Sequence, residues 1–356
     1  MEHVQEFTCP GCGAKLEFDA ATQNLKCPFC GTEIAIDMAA PQEMEAEASL
    51  WEPMSAGDWK PGETAGMRVY ACSACGGEII ADETAGAANC PYCGNQVVMK
   101  EQFAGDLRPD FIIPFKHDKN AAKEAYRKHL TGKKFLPPFF KSSAHIDEIK
   151  GIYVPFWLYD ADVELDAVYT GEKVREYTEG DYECREIEKY RLDRSGTMSY
   201  THIPVDGSSK IDHILMESIE PYDKKGLVDF KTAYLAGYMA DRYDIPQDKC
   251  IERAEERMKN STTQAFRATC NEYSSVNVEQ SDFQILSSKY WYALYPVWLL
   301  NTTWQGKKYT FAMNGQTGRL VGDLPADNGA YWKYVGLRAV LFGIIIYILM
   351  WIVKLI

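Results

Sequence analysis

The sequence predicts an α+β multidomain protein with two small cysteine-rich units, a central mostly antiparallel α+β domain and one C-terminal transmembrane helix. Three observations lead to this prediction. Four Cys-x-x-Cys pairs lie before residue 94, helix and strand patterns fill residues 108–328, and a long apolar run ends the sequence. With 356 residues, the chain is long enough for several domains and for a substantial core in the central one.

The first cysteine-rich unit occupies residues 1–37 and pairs Cys9 with Cys12 and Cys27 with Cys30. Four thiolates at this spacing suit a tetrahedral Zn²⁺ ion. A glycine after each pair permits the positive φ that lets backbone N–H groups point at the sulfurs. So small a unit cannot bury enough apolar surface to fold alone, and zinc supplies on the order of 10–16 kcal/mol in zinc-finger peptides. The pattern therefore predicts a rubredoxin-like zinc ribbon.

Residues 38–67 predict an acidic flexible linker, because Ala, Glu, Gly and Pro dominate and no hydrophobic period is sustained. Such a linker would let the two cysteine-rich units move relative to each other. Trp51 and Trp59 stand out in it. The sequence leaves open whether they dock onto a neighbouring unit or stay half exposed.

The second unit, residues 68–100, repeats the first with Cys72, Cys75, Cys90 and Cys93. Fourteen residues separate the two pairs in both units, which indicates a tandem duplication. Four protein ligands leave no open position for a substrate, so both predicted Zn²⁺ sites are structural and not catalytic. Disulfides conflict with the polar N-terminus, which shows no secretory signal. A thioredoxin-like redox pair would need a βαβ pattern around it.

The central domain combines helical and strand patterns. Residues 118–130 and 246–270 are predicted helices, and in the second of them Ile251, Ala254 and Met258 fall on one face.

Two further patterns concern the strands of this domain. Asn314-Gly315 lies between alternating apolar residues, which predicts a hairpin. A Pro-x-Trp-Leu pattern occurs at residues 155–158 and again at residues 296–299, each time followed by strand-like sequence. This recurrence suggests an internal repeat.

The chain ends on a predicted transmembrane helix over residues 329–356. Residues 339–353 carry no charge. A helix that begins at Tyr334 would cover twenty residues, or about 30 Å at about 1.5 Å per residue, if Arg338 extends to the interface. Aromatic residues flank the run on both sides as in membrane belts, whereas a buried core helix is rarely apolar all round. Lys333 and Arg338 on the N-terminal flank predict a single-pass protein of the cytoplasmic membrane with its N-terminal domains in the cytoplasm.

The net charge of −13 disfavours contact with phosphate backbones. Zn²⁺ with four thiolates carries a formal charge of −2, so two filled sites would take the protein to about −17. The first unit contains two basic residues, Lys15 and Lys26, and six acidic ones. Neither unit contains a basic patch with aromatic residues between the basic ones, as nucleic-acid-binding surfaces do. These charges argue against nucleic-acid binding. The alternative function is a membrane-tethered, nucleic-acid-binding regulator of transcription or replication.

Catalytic motifs are missing from the sequence: it contains no P-loop, H-E-x-x-H or G-x-S-x-G, and its six histidines are scattered. A Ser–Lys or carboxylate site at Asp206, Ser208 and Lys210 is conceivable, but a turn that leads into a capped helix explains this polar stretch. We therefore predict that the protein is not an enzyme, and no small-molecule substrate is identified. Three isolated cysteines are predicted to be small buried apolar residues, namely Cys184, Cys250 and Cys270.

Three central stretches, together with the tandem cysteine pairs and the final apolar run, resemble the bacterial TFIIB-type zinc ribbon-containing membrane proteins. The stretches are IKGIYVPFWLYDADVE, HIPVDGSSKIDHILMESIEPYD and KTAYLAGYMADRYDI. Some members of that family are similar to the anchor of an envelope-stress system, encoded near a phage-shock-protein-A-like membrane remodeller and a band-7 (SPFH) protein. The resemblance implies protein partners of those two kinds. It carries over the eight zinc cysteines and no catalytic residue.

Together these features predict a membrane-anchored cytoplasmic adaptor that recruits protein partners to the membrane in an envelope stress response. The zinc ribbons would be its docking modules, and anchoring would raise their effective concentration for membrane-associated partners. The predicted structural zinc, the acidic charge, the C-terminal span and the missing catalytic motifs are the observations behind this prediction.

Overall fold

The computed structural model describes residues 16–35, 51–53, 66–81, 89–102 and 107–355, together with residues 9, 14, 59, 60, 63 and 64. The α-helices in this part of the chain are α1 (Lys119–Leu130), α2 (Ser143–Asp147), α3 (His213–Ser218), α4 (Gln247–Ala268) and α5 (Asn328–Leu355). Short 3₁₀ helices cover Pro138–Lys141, Lys224–Gly226 and Thr232–Leu235. The strands are β1 (Glu17–Asp19), β2 (Asn24–Lys26), β3 (Glu33–Ala35), β4 (Glu52–Pro53), β5 (Arg68–Ala71), β6 (Glu78–Ala81), β7 (Val98–Gln102), β8 (Phe111–Ile112), β9 (Lys150–Glu179), β10 (Tyr182–Asp206), β11 (Val228–Asp229), β12 (Met239–Asp241), β13 (Ser275–Trp304), β14 (Lys307–Asn314) and β15 (Leu320–Gly322).

Two 30-residue strands, β9 and β13, form the middle of the fold and pair antiparallel along most of their length. The sequence of β9 explains its two parts. Residues 152–159 are apolar or aromatic without a break and are buried on both faces, whereas residues 160–171 alternate apolar with more polar side chains. The unbroken part therefore lies between two cores, and the alternating part covers a core with one face only.

β9 and β13 belong to a large mixed sheet, in which the long pairs are antiparallel. β10 pairs with β9 and β14 pairs with β13, both as antiparallel neighbours. Three short pairs are parallel: β12 with β9, β8 with β13 and β4 with β13. The predicted α+β class is confirmed.

Strand alternation sends the side chains of β9 into two cores on opposite faces of the sheet. Tyr153 and Trp157 enter the first core, whereas Phe156 enters the second. Aromatic rings dominate the first core. Phe115 stacks on Tyr238 with ring centroids 4.2 Å apart and meets Tyr153 edge-on at 5.0 Å.

The two cysteine-rich units join the central domain in different ways: the first packs on one face of the sheet, and the second extends the sheet and adds side chains to both cores. We call Cys9, Ala14 and residues 16–35 the first cysteine module, and residues 66–81 with 89–102 the second. The first module forms a separate sheet of β1, β2 and β3 and adds apolar side chains to the first core. In the second module, β5, β6 and β7 continue the central sheet because β6 pairs with β12. The second module is thus built into the sheet of the central domain.

The described part of the predicted linker docks on the central domain. Trp51 meets Tyr159 edge-on at 5.2 Å, and Trp59 meets Phe230 edge-on at 5.7 Å. β4, which follows Trp51, pairs with β13. Both tryptophans thus pack against the first core and remain half exposed, so the two alternatives apply together. Most of residues 38–67 lies outside the described residues.

The two long helices of the central domain occur where the sequence predicts them. Asp118 caps α1 by accepting a backbone hydrogen bond from its first turn. α4 buries Cys250, Ala254 and Met258 along one face, which packs on the long strands, and Ile251 is half buried beside them.

The Pro-x-Trp-Leu repeat marks an internal duplication of the fold. In both copies the indole N–H of the tryptophan donates at 2.9 Å to the carbonyl oxygen of a residue just before a long helix. Trp157 of β9 donates to Ile245, before α4, and Trp298 of β13 donates to His117, before α1. Each repeat strand therefore secures the start of the helix that precedes the other repeat strand.

The backbone around the repeat prolines is duplicated as well. A glycine after the partner strand, Gly207 in one copy and Gly315 in the other, donates its N–H to the carbonyl oxygen of the repeat proline. The carbonyl oxygen of the same glycine accepts from the residue before the long helix. The parallel pairs also match, since β12 and β8 begin their pairing three residues before the proline of β9 and of β13.

α5 is long and apolar enough to cross a membrane, and its most apolar stretch is not covered by the described residues. Unlike α4, it has no polar face over this stretch, because residues 339–351 are uncharged on every side. The C-terminal helix that the sequence predicts is therefore present, with the length and composition of a membrane span.

Candidate metal centres

The second cysteine module gathers four sulfur atoms, those of Cys72, Cys75, Cys90 and Cys93, within 4.8 Å of one another. The Sγ atoms of Cys72 and Cys93 are 3.5 Å apart, and those of Cys75 and Cys90 are 3.6 Å apart. A tetrahedral ion with metal–sulfur bonds of about 2.3 Å would separate the sulfurs by about 3.8 Å. A disulfide bond would place two of them at about 2.05 Å. The group has the dimensions of a metal site.

The same backbone turn forms both cysteine pairs of this module. The N–H of the first cysteine donates to the carbonyl five residues later, and the N–H four residues later donates back to the cysteine carbonyl. That fourth residue is Gly76 in one turn and Gly94 in the other, with φ of +68° and +77°. The first module repeats the turn at Cys27, with Gly31 at φ +75°. Because glycine adopts this backbone conformation without strain, the positive φ predicted for these glycines is confirmed at the three turns, whereas Gly13 lies outside the described residues.

Amide donors face the sulfurs of the second module. The backbone N–H of Tyr92 donates to Sγ of Cys90, and the side-chain amide of Asn95 donates to Sγ of Cys93, both at 3.4 Å. Burial raises the pKa of the Cys90 thiol. Burial also acts to raise the pKa of Cys93, but the hydrogen bonds with Asn95, Cys72 and Cys75 together outweigh it and lower that pKa to about 7. A divalent cation would offset the cost of gathering four thiolates in a partly buried place.

The first cysteine module brings Cys9, Cys27 and Cys30 together, with their sulfurs also within 4.8 Å of one another. The Sγ atoms of Cys9 and Cys30 are 3.3 Å apart, and the hydroxyl of Thr32 lies 3.1 Å from Sγ of Cys30. Cys9 and Cys27 are buried, whereas Cys30 is exposed. Cys12, the fourth predicted ligand, lies outside the described residues.

Each of the two cysteine groups can therefore bind a metal ion. Their donors are soft thiolates, which suit zinc, copper(I) or iron–sulfur clusters and not calcium or magnesium. The donor set and its spacing thus fit the predicted metal.

Comparison with known proteins places the chain in a family without assigning it an activity. No protein-family model matches it, and no solved structure matches it. The uncharacterized protein YdjG of Bacillus subtilis (strain 168) is 36% identical over 232 residues, which cover 65% of this chain and 68% of YdjG. The chain belongs to the YdjG family. The name of YdjG specifies no metal, partner or reaction, so the function of this family member is argued below from its own residues.

The two cysteine modules of this YdjG-family protein place the same position of their motif in opposite surroundings. Phe29 in Cys-Pro-Phe-Cys-Gly is 83% exposed, whereas Tyr92 in Cys-Pro-Tyr-Cys-Gly is 2% exposed. Tyr92 belongs to the second core, and its ring lies so close to Gly77 that a Cβ there would be 3.1 Å from it. Sequence reasoning missed this difference, because the two motifs look alike.

The way the first module docks explains the exposure of Phe29. The N–H of Phe18 in β1 donates to the carbonyl of Ala236 at 3.1 Å, and Gln23 in the next turn donates its side-chain amide to the carbonyl of Phe115. The module is thus attached through β1 and the β1–β2 turn. Its cysteine turn at residues 27–31 faces outward.

The surface of the first module is acidic. Lys26 lies 2.9 Å from a carboxylate oxygen of Glu33 and 3.6 Å from one of Asp19. The hydrogen bond with Glu33 raises the pKa of Lys26. The positive charge of this lysine is therefore already paired within the module.

The side chains of Asp206, Ser208 and Lys210, which the sequence raises as a conceivable catalytic group, do not hydrogen-bond with one another. The hydroxyl of Ser208 accepts from the backbone N–H of Lys210 at 3.2 Å. The ammonium group of Lys210 instead lies 3.5 Å from a carboxylate oxygen of Asp244. The Ser–Lys pair that such chemistry would require is absent from these residues.

Asp206 is buried and belongs instead to a partly exposed polar network at the start of α3. Its carboxylate hydrogen-bonds with Nδ1 of His213 and accepts from Arg253 at 2.9 Å. Asp212 caps α3 by accepting from two backbone N–H groups. The interpretation of this stretch as a turn that leads into a capped helix is confirmed.

Proposed function

We propose that this YdjG-family protein is a membrane-anchored adaptor, which holds a protein partner on its first cysteine module at the inner face of the cytoplasmic membrane. In this function both cysteine groups carry structural Zn²⁺ as rubredoxin-like zinc ribbons, and the chain has no catalytic role. The four sulfurs of the second group support a structural site, because a tetrahedral ion that binds all of them has no open position for a substrate.

The exposure of Phe29 is the observation that carries this proposal. Large apolar side chains are mostly buried, whereas Phe29 is 83% exposed on the turn between Cys27 and Cys30. Aromatic residues are enriched in protein interfaces and bury about 150–250 Å² each. Tyr92 illustrates the covered state of the same position, since it helps to attach the second module to the central domain. A partner protein would cover Phe29 in the same way.

The charge of the first module favours a protein over a nucleic acid as this partner. Nucleic-acid affinity rests on lysines and arginines that neutralise phosphates. Lys26 is already paired with carboxylates, and the whole chain carries a net charge of −13. A partner with a neutral or basic apolar patch would suit this surface.

α5 would supply the membrane anchor. Its length and composition match a bilayer span, and Lys333 and Arg338 lie near its N-terminal end. Cationic residues on this flank favour a cytoplasmic location for the globular part. Anchoring would keep the first module at a high effective concentration near membrane-associated partners.

The resemblance to TFIIB-type zinc ribbon-containing membrane proteins suggests which partners to test first. They are a phage-shock-protein-A-like remodeller and a band-7 (SPFH) protein, and envelope stress is the condition under which to test them. Recruitment of either protein would make the adaptor part of a membrane stress response.

The adaptor function can be tested by site-specific photocrosslinking of the full chain in cells. A photoreactive phenylalanine analogue is placed at position 29 or, as a control, at position 182, where Tyr182 is 76% exposed. We expect a discrete protein adduct from position 29 but not from position 182. Phe29→Ala should lose the partner at an unchanged content of two Zn²⁺ per chain, because position 29 is not a ligand.

Two outcomes would contradict this function. If position 29 gives no adduct either at rest or under envelope stress, the first module is not a docking site. If the purified chain instead binds DNA or RNA with strong salt dependence, and loses this binding with its cysteines, the nucleic-acid-binding regulator is the better description.

A further inference from the structure

The base of α5 is docked on the segment that follows α1. Phe135 meets both Tyr331 and Tyr334 edge-on, with ring centroids 5.3 Å and 5.4 Å apart. The ammonium group of Lys134 lies 5.8 Å from the ring centroid of Tyr334. The N–H of Asp327, just before the helix, donates to the carbonyl of Phe135 at 2.7 Å. The first turns of α5 are therefore held against the globular part.

The surface beside this contact is aromatic and cationic. Phe139 is 45% exposed, and its ring stacks on that of Trp304 at 5.9 Å. Trp304 ends β13, and the turn that follows it leads directly into two exposed lysines. We call this area the basal surface and define it by six residues: Lys133, Lys134, Phe139, Trp304, Lys307 and Lys308.

The charge of the basal surface is opposite to that of the chain. The chain carries a net charge of −13, yet this surface presents four lysines. Among the described residues, no carboxylate lies within ion-pair distance of these four side chains. Lys133 instead contacts the ring of His129, and Lys307 lies over the ring of Tyr309 at 5.3 Å. The four positive charges are thus available to an external anion.

The position of the basal surface follows from the path of α5. If the helix enters the bilayer at about Tyr334, this residue lies at the level of the lipid headgroups. Phe135 packs against Tyr334, so Lys133 and Lys134 lie at the same level. Lysines near a membrane interface bind anionic headgroups, and exposed aromatic rings insert at the headgroup boundary.

We propose that the basal surface binds anionic phospholipid headgroups of the bilayer that α5 crosses, with Phe139 inserted at the interface. The contact fixes the orientation of the globular part on the membrane, which a single span alone leaves free to tilt and rotate. This proposal rests on the membrane anchoring in the proposed function but not on the docking role of Phe29.

The proposal can be tested by hydrogen–deuterium exchange of the full chain in lipid nanodiscs. One set of discs contains only phosphatidylcholine, and the other also contains phosphatidylglycerol. Each lysine close to an anionic surface favours the bound state about fivefold. We therefore expect backbone exchange in residues 132–141 and 303–309 to slow by at least about tenfold when phosphatidylglycerol is present. High salt should reverse the effect, because it screens the lysines.

A charge variant and a matched control complete the design. Replacing the four basal lysines with glutamine should abolish the difference between the two lipids: Lys133→Gln, Lys134→Gln, Lys307→Gln and Lys308→Gln. The control replaces four lysines on α4 and on the segment between α3 and β12 and should keep the difference: Lys225→Gln, Lys231→Gln, Lys249→Gln and Lys259→Gln.

The outcomes separate this proposal from the one on which it rests. If alkaline carbonate extracts the protein from membranes, α5 is not a span and the proposed anchoring is wrong. If the protein resists extraction but its basal segments exchange equally fast in both lipids, anchoring stands and the lipid contact is refuted. The lipid contact is also refuted if the basal segments are protected only by an acidic protein partner.

Discussion

The opposite surroundings of Tyr92 and Phe29 predict opposite effects of two equivalent substitutions. Tyr92→Ala removes a side chain that is 2% exposed from the second core, and large aromatic residues cost about 3–5 kcal/mol of unfolding free energy when truncated there. Phe29→Ala removes a side chain that is 83% exposed, and such surface changes stay within about 0.5 kcal/mol. The two variants should therefore differ in stability although they change the same position of the same motif.

These free energies translate into a measurable shift of the melting temperature. For a domain of 150–250 residues, 1 kcal/mol shifts it by about 2–4 °C, so Tyr92→Ala should lower it by roughly 6–20 °C and Phe29→Ala by at most about 2 °C. The measurement is thermal unfolding of the full chain in detergent, followed by near-ultraviolet circular dichroism at one scan rate. An excess of Zn²⁺ keeps both metal sites filled in every sample.

Tyr92→Phe serves as the control, because it keeps the ring that fills the core. It should recover most of the stability that Tyr92→Ala loses. Equal melting temperatures for the two alanine variants would show that the second module does not attach through this ring. A large loss in Phe29→Ala would refute the assignment of Phe29 as an uncovered side chain, and with it the docking surface.

Three further predictions concern a glycine pair, a buried carboxylate and the metal. A Cβ on Gly315 would lie 2.6 Å from the ring of Phe115, whereas one on Gly207 would meet nothing closer than 3.0 Å. Gly315→Ala should therefore cost about 1–3 kcal/mol and Gly207→Ala less, as compared by their melting temperatures. Burial raises the pKa of Asp241 from 3.8 to about 7, so the native state loses stability as pH rises from about 4 to 7. Asp241→Asn should gain up to about 4 kcal/mol at pH 8 but only about 2 kcal/mol at pH 5 in paired urea titrations, and an equal gain at both values would contradict the shift. Metal analysis should find two Zn²⁺ per chain and one after a cysteine-to-serine change in either module, and loss from the second module should lower the melting temperature more because that module continues the central sheet.

The local patterns of the central domain could be predicted from sequence, because their signals are short in range. α1 and α4 follow from helical periodicity and from the residue before each helix, Asp118 and Pro246, and the repeat follows from a few identical residues. The Asn314-Gly315 hairpin exists, but its loop is longer than a two-residue turn. β14 ends at Asn314, whose side chain accepts from two backbone N–H groups of a five-residue loop. A two-residue turn joins β13 to β14 instead, at Gln305-Gly306 with both φ values positive, and its glutamine does not signal such a turn.

The long hairpin of β9 and β10 could not be predicted from its own residues. Beyond Gly171 its sequence is rich in charge, with 14 charged residues among residues 172–194, and resembles a solvated segment. Residues 173–179 form a strand because β10 pairs with them in the hairpin, whereas β13 pairs with β9 only as far as Glu172. The same reason explains Cys184, which lies half exposed on β10, whereas Cys250 and Cys270 are buried as predicted.

The candidate metal sites could also be predicted only in part from the sequence. The spacing of the cysteines foretells which sulfurs meet, since each turn is local and glycine-dependent. Tertiary contacts decide which module continues the central sheet and which presents its cysteine turn outward. The residues of the two motifs do not encode these contacts. Only those contacts distinguish a covered aromatic side chain from an available one.

The length of β13 has a mechanical consequence. Its last residue, Trp304, lies on the basal surface, and its first, Ser275, lies 29 residues away along one continuous strand. At about 3.3 Å per residue, the strand spans up to about 95 Å. With the basal surface on the bilayer, the far end of the sheet stands at a set height above the membrane. The tip of the β9–β10 hairpin continues past that end, so in the proposed orientation the length of these strands would set the largest distance from the lipid at which the sheet can hold a bound molecule.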